Sequence, residues 1–226
     1  MGIGGATTPR PVVIQQSLYA ALQKAETFAE QGEFRQAVAY ADFVLNPRVL
    51  RVRLDLSGVV TSQRADAEAA VVKAAKAWED SLGNEVEIRF VTGGVSAVRI
   101  GFRSDLKVWG ADAAGHLVWS RNVVQIGDDY SAQVSADMTL RTLSPGGRCL
   151  TLDNMTHAAL HEFGHVFGLN DSHWVGDIMG PQDLNRPITK ISERELTPLR
   201  EVRREAQSIV HLAEWVESSA TLFAPR

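Results

Sequence analysis

His161-Glu162-Phe163-Gly164-His165-Val166-Phe167-Gly168-Leu169-Asn170-Asp171, with Met179 eight residues further on, is the stretch on which the rest of the chain is read. Two histidines four apart on a helix differ by about 40° in direction and about 6 Å along the axis, so both imidazoles can address one ion. Glu162 lies beside His161 on a neighbouring face, where it can act on a metal-activated water without being a ligand. That is the division of labour of a zinc hydrolase.

A catalytic zinc takes three protein ligands and keeps a fourth position for water, so the two histidines leave the set unfinished. Gly168 is where the helix is expected to end, because glycine tolerates the left-handed geometry that turns a chain back on itself. Asp171 is the first side chain with a ligand oxygen on that return path. His173 is the alternative third ligand, a commoner zinc donor placed two residues later. His157, one turn before His161, points off the metal face, and it is read as structural together with His116 and His211.

The pattern HExxHxxGxxD with a downstream methionine resembles the metzincin clan of zinc endopeptidases. Its spacing is most similar to the matrixin branch, with Ser172, Gly176, Met179 and Pro181 at the offsets where matrixins carry Ser, Gly, Met and Pro. Lys73–Trp78 is similar to the branch's backing helix and Ala97–Phe102 to the strand after it, so the likeness spans residues 49–205. The resemblance implies an endopeptidase that hydrolyses peptide bonds with one Zn2+ held by His161, His165 and Asp171. It also implies Glu162 as general base, Met179 in a methionine turn, and a polypeptide substrate laid along an edge strand. The offsets to Gly168 and Met179 favour Asp171 over His173. Gly180 stands where many clan members have tyrosine, and no PRCGxPD-like segment precedes the domain. Two other readings stand beside this one: a zinc-binding interaction module with little turnover, and a zinc amidase acting on a non-peptide substrate.

Outward from the motif, Asn154 is expected to cap the histidine helix ahead of the apolar positions Ala158, Leu160, Phe163 and Val166. Ser192 and Glu195 form a capping box that opens a last helix, which Pro198 should interrupt or restart, and which is expected to pack back on the sheet. Upstream, five strands are expected at 49–56, 86–91, 98–102, 117–126 and 134–140, with a helix at 65–82 between the first two. The fold class is therefore α+β: a twisted mixed five-stranded sheet, a backing helix, an active-site helix and a C-terminal helix. Of the strands, Leu117–Val124 is similar to the clan's edge strand above the cleft.

Residues 1–47 are read as a separate part, and 48–226 as the peptidase domain. After a mobile Gly, Thr and Pro start, Gly32 divides two helical patterns, and Gly32–Ala37 with Asn46-Pro47 resembles a single tetratricopeptide hairpin. One such repeat cannot bury its own face, so it is expected to pack on the domain or on a protein partner. The formal charge of -4 gives no basic footprint for nucleic acid, and no apolar run reaches the roughly 20 residues of a membrane span. A monomer is expected. Met1–Arg10 lacks the regions of a signal peptide, which suggests a cytoplasmic protein or a secreted one whose leader has been removed. The single Cys149 excludes an internal disulfide framework.

Overall fold

A computed structural model describes residues 13–83 and 85–222, so the expected mobile start lies outside the described residues. Two helices come first, α1 (Gln16–Glu30) and α2 (Phe34–Leu45), then strand β1 (Val49–Leu54) and helix α3 (Arg64–Ser81). Strands β2 (Glu87–Phe90) and β3 (Val98–Arg103) follow, then two short strands, β4 (Lys107–Val108) and β5 (Ala111–Asp112). A long hairpin of β6 (Gly115–Ile126) and β7 (Asp129–Arg141) leads into α4 (Leu152–Phe167), and α5 (Glu193–Leu222) closes the chain.

The fold is α+β with a mixed five-stranded sheet in the order β2-β1-β3-β7-β6. The first four strands run parallel, and β6 runs antiparallel to β7 along one edge. The alternation in the sequence explains which face is covered. Leu50, Val52, Val98, Ile100, Ala136, Met138 and Leu140 turn inward and are buried, while Arg51, Arg53, Arg99 and Asp137 face out, the last two as an ion pair. Trp78 of α3 anchors α4 against this layer: its indole N–H donates to Leu160 O at 3.0 Å and its ring lies 5.1 Å from that of Phe167.

The N-terminal hairpin is built into the same core. Leu18, Leu22, Ala25, Ala37, Ala41 and Val44 belong to one continuous cluster with the sheet and α4. The buried guanidinium of Arg121 donates to Phe43 O at 2.8 Å and to Val166 O, and Arg203 donates to Leu45 O at 2.7 Å. Helix α5 packs on α1 and α2 rather than on the sheet as expected, burying Leu199, Val202, Ala206 and Ala213.

Pro198 does not interrupt α5, which is continuous from Glu193. Its missing donor faces the carbonyl of Arg194, in the first turn, and the buried stripe behind it holds the helix together. The cap of α4 is also corrected: Thr151 is the N-cap, and Asn154 is the third helical residue, completing a capping box with it. Among the described residues no helix is long and apolar enough to cross a membrane.

Candidate metal centre

Helix α4 ends as its sequence requires. Gly168 adopts φ 102°, and its N–H and that of Leu169 return to the carbonyls of His165 (3.1 Å) and Gly164 (2.9 Å), a Schellman closure. A Cβ at Gly168 would collide with the Leu18 side chain of α1, so the turn and the N-terminal hairpin fit each other only through glycine. Beyond the turn the chain brings Asp171 back over the helix. Its Oδ1 lies 3.2 Å from His161 Nε2 and 3.4 Å from His165 Nε2, and one ligand atom from each of the three residues lies within 4.8 Å of the others. His173 is exposed and outside this group.

The donor chemistry suits a cation. Both Nδ1 atoms lie 2.9 Å from backbone carbonyls, His161 from Ile178 O and His165 from Leu169 O. A carbonyl can only accept, so each Nδ1 carries a proton and each ring points its Nε2 at Asp171. A cation taking the place of the Nε2 protons could be held by His161, His165 and Asp171 together. The two rings hold the Asp171 carboxyl far below its ordinary pKa through their hydrogen bonds to it. Burial opposes protonation of His161, but Asp171 and Glu162 outweigh it and raise its pKa.

Glu162 is 4% exposed and accepts no hydrogen bond from the protein among the described residues. Burial pushes its pKa above the ordinary carboxylate range, with His161, His165 and His116 pulling the other way. His116, read from the sequence as structural, therefore sits within electrostatic reach of the carboxylate, carried there by β6. Gly115, the residue before it, lies so close to Glu162 that a Cβ would overlap the carboxyl group.

Met179 is buried beneath α4, and Gly164, between the two histidines, exists to admit it: a Cβ there would overlap the Met179 sulfur. The turn is fixed from α5. Glu195 is fully buried and takes the Met179 N–H at 2.8 Å while its other oxygen takes the N–H of Ser192 at 3.1 Å, so the expected capping box also secures the methionine. Gly180 is required by its own neighbour, since a Cβ would overlap the Trp174 carbonyl. No tyrosine fits there. His157 also lines the cavity: its Nδ1 accepts from Ile188 N–H at 3.2 Å, and burial pushes its pKa down to about 4, with the His161 charge adding to the effect.

A cavity of about 480 Å³ opens beside these residues. Its lining includes Ala113, Ala114 and Gly115, His161 and Glu162, and Gly180, Pro181 and Gln182. Arg141 also lines it, 7% exposed and paired with Asp112 at 2.7 Å. No family model matches the chain, and no curated protein matches it.

Proposed function

We propose that this protein is a zinc-dependent endopeptidase of the metzincin type, close to the matrixin branch. The observation that carries the reading is the convergence of His161, His165 and Asp171 beside a buried, unpartnered Glu162 in an open cleft. His161, His165 and Asp171 would hold the ion. When bound there, zinc lowers the pKa of water toward neutrality and polarises a carbonyl, though the aspartate's charge moderates both effects.

The chain's own residues supply the rest. Glu162, whose pKa burial raises, is a stronger base than an exposed carboxylate, and it takes a proton from water and returns it to the leaving amine. The Nδ1 bonds to Ile178 O and Leu169 O keep both rings in the tautomer and orientation that ligation needs. The β6 edge and the Gly180–Gln182 wall suit an extended polypeptide, whose main chain can pair with the free edge while side chains enter the cavity.

Metal analysis with a casein digest tests this. One zinc per chain, chelator-sensitive cleavage, and a Glu162→Ala protein that keeps its zinc but loses cleavage by about 10²-fold or more are expected. Zinc uptake without cleavage by the wild type would favour the interaction module, and cleavage only of small amides would favour the amidase.

A further inference from the structure

Residues 13–15 precede α1 and lie along the outer side of the ligand loop. Ile14 forms an antiparallel bridge with Leu169, Asn170 N–H donates to Val13 O at 2.7 Å, and Gln15 N–H donates to Gly168 O at 2.7 Å. The side chain of Asn170 adds a bond to Ile14 O at 3.2 Å. The Gln15 side chain reaches inward from this pairing. It is 6% exposed, and its Nε2 lies 3.1 Å from both His165 O and Leu169 O. Leu169 O is the same atom that accepts the Nδ1 proton of His165.

The amide can sit only one way round. Turning it would set Oε1 against two carbonyl oxygens, so the nitrogen faces the ligand helix and Oε1 is left buried without a partner. A buried acceptor left unpaired is a cost. Here it accompanies two donated bonds, one to His165 O and one to Leu169 O, the carbonyl that orients the His165 ring.

We propose that Gln15 is a positioning residue of the metal centre, fixing His165 and the return to Asp171 by clamping Leu169 O and His165 O. The inference rests on the metal reading above. A glutamine 150 positions from His165 thereby becomes part of the support around the ligands. Supports of this kind typically change metal affinity by about 10–100-fold when removed.

The test uses the full chain with Q15M, which keeps length and apolar volume without the donors, and Q15A beside it. Gln63 is the control: it is a comparably buried glutamine whose amide reaches Thr142 O and Leu150 O at 3.5 Å, away from the ligand loop. Melting of the metal-free proteins establishes that each is folded at the titration temperature. Zinc affinity is then read by competition with a chromophoric chelator, and ligand geometry by the visible spectrum of the cobalt(II) form. Q15M and Q15A should bind zinc about 10-fold or more weakly and alter the cobalt bands, whereas Q63M should keep affinity within about 3-fold and leave the bands in place. Wild-type affinity and bands in Q15M would overturn the inference while leaving the metal reading intact, and so would equal weakening in Q63M. A wild-type chain that takes up neither zinc nor cobalt would overturn both.

Discussion

Asp171 and His173 stand two places apart in the chain, yet only the carboxylate comes back over both histidine rings. A chelator titration should accordingly rank them: Asp171→Ala losing most of the zinc affinity and His173→Ala staying within a few fold, the reverse order transferring the ligand role. Glu162 offers a second test through stability. A carboxyl whose folded pKa is raised binds its proton more tightly when folded, so the folded state loses stability as pH rises from 4.5, and the loss is complete above the folded pKa. Melting of the metal-free Glu162→Gln protein should therefore match wild type near pH 4 and exceed it at pH 7. An equal gap at both values would mean that the carboxylate is not strained by burial. His161, Glu162 and His165 were legible because helical spacing fixes their geometry within one turn. Gln15 and His116 were not, because their proximity to the site is created by strand pairing and chain return, which leave no local periodic mark.

At the scale of elements, two effects compete in α4. Replacing a helical glycine with alanine ordinarily stabilises by about 1 kcal/mol. At Gly164 the added methyl would press on Met179 and approach the Trp78 ring, and overpacking of this sort costs about 1–3 kcal/mol. Gly164→Ala should thus lower the denaturant midpoint, while a rise would mean that the methionine yields easily. The five sheet strands and α3 were readable from alternation and helical period. Residues 129–133 of β7 were left out because Tyr130 and Ala132, which alternate there with Asp129, Ser131 and Gln133, are only half-buried beyond the core, and β4 with β5 because two-residue strands carry no period at all. Trp109 and Gly110, both at positive φ, form that tight turn, and a tryptophan gives no warning of it. The cap of α4 was misplaced by three residues because Thr151 and Asn154 are both cap formers and only tertiary placement chooses between them.

Over the whole molecule, the expected separation of residues 1–47 from the rest meets a shared core. Among the described residues, α1 and α2 contribute nothing to the lining of the cavity, and their apolar faces join the core cluster that includes α4. Deleting residues 1–46 should expose the apolar contacts of α4, β7 and α5 and remove the Leu18 contact at Gly168. A broadened melting transition and increased binding of a hydrophobic dye are expected, not a gain in activity. Sharp two-state melting with unchanged cleavage would show that the hairpin is dispensable.

The pairing of residues 13–15 with 168–170 also sets an order of events during synthesis. Residues 13–15 leave the ribosome before their partner strand, which is added some 150 residues later. At about 5–20 residues per second the interval is roughly 8–30 s, during which the hairpin has no turn to hold and the histidines do not yet exist. Contacts of such separation form late and slowly. A centre braced by two segments so far apart in the chain therefore takes shape only after the second of them has been made.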